Sequence, residues 1–91
     1  MIFEWDDAKA RTNLAKHGIS FEVAMRVWDD PLFEIYHHVE NGEERYLAIG
    51  MVLGAMILAV AHVYRGDDEE QVVRIISARK ASPHERKTYE Q

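Results

Sequence analysis

The spacing of apolar and polar residues changes along the chain, and these changes predict eight elements in the order β-α-α-β-β-β-β-α. Ile2 to Trp5 alternates over a short reach, as an edge strand or an extended arm does. Asp7 to His17 contains good helix formers between an N-cap at Asp6 and a left-handed C-cap at Gly18. A second helix begins after Ser20. Its positions i, i+3, i+4 and i+7 form one apolar stripe of Phe21, Ala24, Met25 and Trp28.

The chain from Leu32 onward has the pattern of strands joined by tight turns. Leu32 to Val39 alternates loosely, Asn41-Gly42 is a strong hairpin signal, and Glu44 to Met51 alternates again. A second hairpin turns near Gly54. This region therefore predicts two successive antiparallel hairpins.

Two further strands and a helix complete the printed sequence. Ala55 to Tyr64 is a nearly continuous apolar run that suits a central strand. Gly66 to Gln71 is an acidic turn, and Val72 to Arg79 is the last strand. A capping box with proline at the first helical position follows at Ser82-Pro83-His84-Glu85, which predicts a short last helix.

These elements predict one α+β domain over residues 1–91. We expect two layers, in which two N-terminal helices lie on one face of a four-stranded antiparallel sheet. A short C-terminal helix follows the last strand. The sequence shows no repeat, linker or low-complexity segment that would divide the chain, and 91 residues suit a single core.

The uncharged 19-residue run from Tyr46 to Tyr64 is long enough to cross a bilayer as a helix. One cation flanks it on each side, Arg45 and Arg65, so no asymmetry of positive charge supports insertion. Two strands of about eight to nine residues that meet near Gly54 are the stronger interpretation of the run. We therefore expect two strands, no membrane contact and a cytoplasmic protein.

Charge and cysteine content restrict the functions further. The chain has no cysteine, which excludes disulfide frameworks and thiolate metal sites and fits a reducing compartment. A net charge of -5 argues against a protein that coats nucleic acid with a uniformly positive surface. The charge is uneven, because residues 1–44 carry a net -6 and residues 71–91 a net +3. We expect a polyanion to meet the C-terminal third.

The sequence offers no support for a metal or cofactor site. The five histidines lack the spacing of metal ligands. His37 and His38 are neighbours in a predicted strand, so their side chains point to opposite faces. GxSxG, Walker A and GxGxxG motifs are absent from the sequence, which leaves serine hydrolases, P-loop enzymes and dinucleotide enzymes unsupported. We expect neither a metal nor a cofactor.

The arginines are the most informative chemical groups. Arg45 opens one strand, Arg65 ends the central strand, and Arg86 lies one turn into the last helix. Successive side chains of a strand alternate between its two faces, so we expect Arg79 on one face of the last strand and Arg74 on the other. Guanidinium groups bind phosphate through two N–H groups and keep their charge, which suits a transition state with negative charge on phosphorus. Ion pairing with the surplus of acidic residues is the alternative interpretation.

Several blocks of the sequence resemble the BrnT toxin family. One is Lys16-His17-Gly18-Ile19-Ser20-Phe21, preceded by Phe3-Glu4-Trp5-Asp6. Another is Arg74-Ile75-Ile76-Ser77-Ala78-Arg79-Lys80-Ala81. Glu44-Arg45-Tyr46 and Val60-Ala61-His62 also look like blocks of that family, so the resemblance covers almost the whole chain.

The resemblance implies a RelE-like fold and a type II toxin that halts translation as a small, metal-independent ribonuclease. It also implies neutralisation by a cognate BrnA-type antitoxin that carries a ribbon-helix-helix domain. DNA would then be bound only through the antitoxin complex. The acidic N-terminal half agrees with a basic partner, because complementary charge speeds the encounter of two proteins.

RNA cleavage without a metal requires a base for the 2′-hydroxyl, an acid for the leaving 5′-oxygen and cations for the charge on phosphorus. We assign Arg79 and Arg45 to the phosphate, and we choose His17 and Tyr89 for proton transfer, with Lys16 and His62 also available. The expected contacts to the RNA backbone are Arg65, Arg74, Lys16, Lys80 and Arg86.

Two other classes of function stay open at this point. A non-catalytic interaction or regulatory module of a toxin–antitoxin-like complex is the main alternative. A repressor that binds DNA by itself is a third class, which the net charge of -5 disfavours. Growth and RNA decay after pulsed expression in bacteria distinguish a nuclease from a binding module.

Overall fold

The computed structural model describes residues 1–67 and 69–91. The strands of this part are β1 (Ile2–Glu4), β2 (Glu34–Glu40), β3 (Glu43–Val52), β4 (Met56–Gly66) and β5 (Gln71–Lys80). The helices are α1 (Asp7–His17), α2 (Phe21–Ala24) and α3 (Pro83–Tyr89), and a 3₁₀ turn covers Met25–Asp29. The strands form one sheet in the order β1-β5-β4-β3-β2. The α+β class and the order of elements are therefore as predicted.

β1 makes the sheet five-stranded and mixed, so the expected four-stranded antiparallel sheet is wrong. Ile2–Glu4 pairs in parallel with Val72 to Arg74 of β5, whereas the other three pairings are antiparallel. A strand of three residues is too short to show a clear period, and its partner lies at the other end of the sequence. Pattern alone therefore does not reveal this pairing.

Both predicted hairpins are present, and each turn contains two successive residues with positive φ. Asn41 and Gly42 have φ of 52° and 76°, and Leu53 and Gly54 have φ of 54° and 66°. Two successive residues with positive φ are typical of a type I′ turn, whose twist matches that of the flanking strands. Asparagine and glycine tolerate this conformation, whereas Leu53 adopts it at a steric cost.

The polar caps predicted from the sequence begin and end the helices. The Asp6 carboxylate accepts two backbone N–H bonds at the start of α1, and Gly18 ends this helix with φ of 72°. The Ser20 hydroxyl accepts the Val23 N–H at the start of α2. α3 begins with the complete capping box and has proline in its first turn. These local signals are confirmed.

The second helix is shorter than its apolar stripe predicts, because one α-helical turn is followed by the 3₁₀ turn. With three residues per turn, Phe21, Ala24 and Val27 point inward and are fully buried. Met25, which the stripe places inside, is 37% exposed. Val27 packs against Gly50 of β3, where a Cβ atom would lie only 2.9 Å from its methyl group.

The sheet has two different faces. α1, α2 and the 3₁₀ turn cover the first, which we name the helix face, and its main core includes Phe21, Val60 and Ile75. The second, which we name the α3 face, carries a smaller apolar cluster around Ile49 against which Tyr89 of α3 packs. α3 has seven residues and covers one end of its face, so the remainder is open in the part of the chain that the structure describes.

A bulge in β5 decides which face its arginines share. Ile75 and Ser77 pair with adjacent residues of β4, and Ile76 between them has no partner on β4. One extra residue reverses the alternation of sides. Arg74 and Arg79 therefore both lie on the α3 face, and the prediction that they point to opposite faces is wrong.

A side chain of α1 closes the edge of β5 where β1 ends. Asn13 is buried, and its amide oxygen accepts the Ala78 N–H at 3.1 Å. Its amide nitrogen donates to the carbonyl oxygens of Ala78 at 2.8 Å and Ile19 at 3.0 Å. The side chain satisfies backbone groups as a neighbouring strand would, and it fixes α1 against β5.

The uncharged run from Tyr46 to Tyr64 forms parts of β3 and β4, as expected. Among the described residues, no helix is long and apolar enough to cross a membrane. The acidic turn predicted from Gly66 to Gln71 includes Asp68, which lies outside the described residues.

Candidate functional site

Arg79 and Glu85 form the best-defined polar contact of the α3 face. The Arg79 guanidinium donates to both carboxylate oxygens of Glu85, at 2.7 Å and 3.0 Å, and to the Lys80 carbonyl oxygen at 3.3 Å. These bonds fix the direction of the guanidinium, while 40% of the Arg79 side chain stays exposed. The arginine is therefore held in place and still accessible to an anion from solvent.

The capping box of α3 holds Glu85 itself. Its carboxylate accepts the Ser82 N–H at 2.8 Å, and its own N–H donates to the Ser82 hydroxyl at 3.2 Å. The bonds from Arg79 and then the backbone bond from Ser82 lower the pKa of Glu85 to about 2, although partial burial opposes this. Glu85 in turn raises the pKa of Arg79. Near neutral pH Glu85 is thus a carboxylate that orients the arginine, and it is too weak a base for proton transfer.

A groove of about 250 Å³ lies beside this pair on the α3 face. It is lined by His84, Glu85 and Thr88 from α3, Tyr36 from β2, and Leu47 and Ile49 from β3. The Tyr36 hydroxyl donates to Glu34 at 3.2 Å, and burial together with this carboxylate raises the pKa of Tyr36. The groove has apolar walls, which suit a nucleotide base, and it also contains the His84 imidazole next to Glu85 of the Arg79–Glu85 ion pair.

Arg45 lies on the α3 face but further along the sheet. It precedes Ile49 by four residues on β3, and Ile49 is level with Arg79 across β4. The two arginines are therefore about 13 Å apart along the strand direction. The Arg45 guanidinium lies 3.6 Å from Glu40 and 3.8 Å from Glu43, and its buried Nε has no hydrogen-bond partner among the described residues. The structure therefore does not bring Arg45 and Arg79 together at one place on the α3 face.

The Tyr89 hydroxyl is bound to a carboxylate. It donates to Asp30 Oδ2, which also accepts the Met51 N–H at 2.7 Å. The bond to Asp30, with some burial, raises the pKa of Tyr89 to about 12. Burial raises the pKa of Asp30, but the bonds from Met51, Tyr89 and the Leu32 N–H outweigh it and lower that pKa. The contact docks α3 onto β3 and onto the segment before β2.

His17 and Lys16 lie at the edge of the sheet. The end of α1 runs beside β5, and the two side chains line a groove of about 320 Å³. The same groove is lined by Ala8, Lys9, Thr12, Asn13, Ile76 and Ser77. Ser77 precedes Arg79 by two residues on β5. His17 and Lys16 therefore lie beside β5 at the sheet edge, and Arg79 is not among the residues that line their groove.

The remaining predicted cations occupy two further places. Arg65 donates to Glu4 of β1 at 2.7 Å, and Arg74 lies 3.4 Å from the same carboxylate. These ion pairs tie β1 to β4 and β5. Lys80 and Arg86 are exposed and line a groove of about 310 Å³ between the end of β5 and α3.

Sequence reasoning missed the two carboxylates that organise the site. It assigned Glu85 only to a helix cap and gave no role to Asp30, although both accept bonds from predicted site residues. It also gave no role to His84 and Tyr36. The one available signal was that Glu85 follows Arg79 by six residues across a predicted strand-to-helix turn, which lets the two side chains meet.

Fold and site together define a class: a small α+β protein that presents an arginine, oriented by a carboxylate, on an open sheet face suited to phosphate. Among the described residues, no three His, Asp or Glu side chains converge in the manner of a metal site. The chain belongs to the BrnT family, whose model is described as the ribonuclease toxin of a type II toxin–antitoxin system and matches residues 5–85. Such a system implies an antitoxin partner.

A solved structure supports this family assignment. The chain is similar to the Brucella abortus ribonuclease toxin BrnT, known from a crystal structure at 1.1 Å resolution. The identity is 28%, the TM-score is 0.64, and the match covers 90% of this chain and 99% of that chain. No curated protein sequence gives a significant match. The expected membership of the BrnT family is confirmed.

Proposed function

We propose that this protein is an endoribonuclease toxin that cleaves mRNA without a metal ion and thereby inhibits translation. The main support is the bidentate contact between Arg79 and Glu85 on the open α3 face, in a chain of a ribonuclease toxin family. A planar guanidinium of fixed direction binds two phosphate oxygens and keeps its charge at physiological pH. Arg79 would stabilise the negative charge that develops on phosphorus.

The proposed step is attack of an RNA 2′-oxygen on the adjacent phosphorus. The P–O2′ bond forms while the P–O5′ bond breaks, which leaves a 2′,3′-cyclic phosphate and a 5′-hydroxyl. One group removes the proton of the 2′-hydroxyl, and another donates a proton to the leaving 5′-oxygen. We assign His84, in the groove beside Glu85, to one of these transfers and keep His17, at the sheet edge, for the other.

Tyr89 has a positioning role in this proposal. Its hydroxyl is bound to Asp30, and a pKa of about 12 makes it a weak acid near neutral pH. The contact holds α3 on the sheet. Since α3 carries His84 and Glu85, Tyr89 would act by fixing the place of these two residues.

The RNA strand would cross the α3 face toward the sheet edge. Arg45 would bind a phosphate further along the strand than the one held by Arg79. Arg65 and Arg74 pair with Glu4 beside β1, away from α3 and its groove, so we expect a smaller contribution from them. The exposed cations near the two ends of the path are Lys16, Lys80 and Arg86. Affinity that depends on such contacts decreases as the salt concentration increases.

The partner that we propose is a BrnA-type antitoxin with a ribbon-helix-helix domain. Residues 1–44 have a net charge of -6, which favours a basic partner. The complex, and not the toxin alone, would bind promoter DNA. We place the toxin in the cytoplasm, where mRNA is translated.

Pulsed expression in bacteria tests the proposed function. The chain should arrest growth and shorten mRNA half-lives, and Arg79→Ala should relieve both effects. Arg11→Ala is the matched control, because Arg11 is an exposed arginine of α1, which covers the opposite face of the sheet. Both variants must accumulate to the level of the unaltered chain. Normal growth with intact mRNA during expression of the unaltered chain would contradict the proposal and favour a non-catalytic module.

A further inference from the structure

β2 is an edge strand whose outer side pairs with no strand in the described part of the chain. All seven residues from Glu34 to Glu40 pair with β3 in an unbroken antiparallel register. In such a pairing, alternate residues direct their N–H and C=O groups away from the neighbouring strand. The outer side of β2 therefore offers a regular row of donors and acceptors for one further strand.

β2 has no proline, bulge or lysine and is seven residues long, so its two terminal glutamates are the main feature that opposes pairing with another strand. Its apolar side chains are also uncovered on the helix face, where Ile35 is 40% and Val39 61% exposed. The helical segments pack chiefly on β5 and β3, so they do not cover the helix face of β2. The opposite edge differs, because its strand β1 has only three residues and the Asn13 side chain occupies the β5 edge beyond it.

The charges around this edge favour a basic partner over a second copy of the chain. Glu34 and Glu40 lie at the two ends of β2, and Glu43 and Glu44 follow after the turn, with Arg45 offsetting part of this charge. In-register antiparallel pairing of two β2 strands would place Glu34 of each copy opposite Glu40 of the other. Like charges in opposed positions destabilise a sheet. A basic segment would meet attraction at the same positions.

We propose that the outer edge of β2 binds an extended segment of the antitoxin in which basic and apolar residues alternate. The segment would add a sixth strand, with main-chain hydrogen bonds for affinity and side chains on both faces for specificity. Its apolar residues would cover Ile35 and Val39, and its cations would lie near Glu34 and Glu40. The inference rests on the proposed antitoxin partner. Its test is separate from RNA cleavage, because Ile35 and Val39 lie on the helix face, whereas Arg79 lies on the α3 face three strands away.

A blocked peptide of about nine alternating lysine and valine residues tests this edge in the full-length chain. The peptide should bind with one-to-one stoichiometry and slow amide hydrogen exchange at alternate residues of Glu34–Glu40 by about tenfold or more. A peptide with glutamate in place of lysine should not bind. Absence of binding by the lysine peptide, or protection confined to another surface, would overturn the proposal.

Val39→Lys should weaken binding of the lysine peptide about tenfold or more, because a lysine on the edge repels the peptide and obstructs pairing. Ile35→Lys is a second variant in case the first does not fold. Leu14→Lys is the control, since Leu14 is half-exposed on α1, and it should leave binding unchanged. All three folded variants should keep their RNA cleavage.

The docking proposal would be overturned if Val39→Lys and Ile35→Lys bound the lysine peptide as tightly as the unaltered chain does. Self-association of the chain through β2 would also overturn it. RNA cleavage reports on the proposed function separately. A chain that binds the peptide but cleaves no RNA would contradict the nuclease and leave the docking edge supported.

Discussion

Arg79 and Glu85 meet across the turn between β5 and α3, with nitrogen–oxygen distances of 2.7 Å and 3.0 Å. The same carboxylate closes the capping box of α3 through the Ser82 N–H. The direction of the guanidinium therefore depends on the folding of the last helix. A helix of seven residues is marginal on its own, so its packing on the sheet also maintains the candidate site.

Glu85→Gln should reduce RNA cleavage about a hundredfold, because glutamine accepts at one oxygen only and no longer holds both nitrogens of Arg79. The free energy of unfolding should decrease by about 1 kcal/mol, since Arg79 is partly exposed. Glu90→Gln, at the end of the same helix, is the control and should change neither quantity. Initial rates on a fluorescent RNA and urea titrations provide the measurements. Full activity of Glu85→Gln would show that the orientation of Arg79 does not limit the reaction.

Tyr89→Phe should lower the free energy of unfolding by about 1 kcal/mol, because it removes the hydrogen bond to Asp30. Cleavage should stay within about tenfold of the unaltered rate, since α3 keeps its apolar contact with the sheet. The pH–rate profile should keep its shape. A loss of a hundredfold or more, with a changed basic limb of the profile, would instead make Tyr89 a proton-transfer residue.

His62 makes stability depend on pH. Its ring packs among Trp28, Tyr46 and Tyr64, and its Nε2 has no partner among the described residues. Burial lowers the pKa of His62 from 6.5, although the bond to the Val60 carbonyl opposes this. Unfolding then takes up a proton, so the free energy of unfolding should decrease as the pH falls below about 6.5.

His62→Phe tests this dependence, because phenylalanine fills a similar space and cannot titrate. Urea unfolding of both proteins at several pH values between about 5 and 8 gives the measurement. The free energy of unfolding of the variant should therefore decrease less at low pH than that of the unaltered chain. Parallel stability curves for the two proteins would contradict the buried, neutral state of His62.

The two hairpin turns predict a pair of opposite stability changes. Leu53→Asn should raise the free energy of unfolding by about 1 kcal/mol, because asparagine tolerates a positive φ that strains leucine. Asn41→Leu makes the reverse change in the other turn and should lower it by a similar amount. Thermal and urea unfolding of the two variants provide the comparison. Changes of the same sign in both would show that the backbone conformation does not control these turns.

Local signals predicted the elements well, because their physical causes lie within a few residues. The caps at Asp6, Gly18 and Ser82, and the turn at Asn41-Gly42, satisfy backbone groups of adjacent residues. The buried stretch from Ile57 to Val60 in β4 likewise reflects its central position in the sheet. These features need no knowledge of distant contacts.

The features that sequence reasoning missed depend on contacts between distant parts of the chain. β1 pairs with β5, and the bulge at Ile76 reverses the sides of the arginines. Asn13 bonds to Ala78, and Tyr89 bonds to Asp30. Each of these becomes visible only when the sheet order and register are known. The sequence therefore indicated the arginines as a group, but it did not indicate which carboxylates form ion pairs with them.

Cleavage of a defined RNA by the purified protein in the presence of EDTA tests the central claim most directly. We predict products with 2′,3′-cyclic phosphate and 5′-hydroxyl ends, an unchanged rate for Arg11→Gln, and a rate lower by about 10² to 10³ for Arg79→Gln. Cleavage that EDTA abolishes, or that proceeds equally fast with Arg79→Gln, would contradict metal-independent catalysis assisted by Arg79.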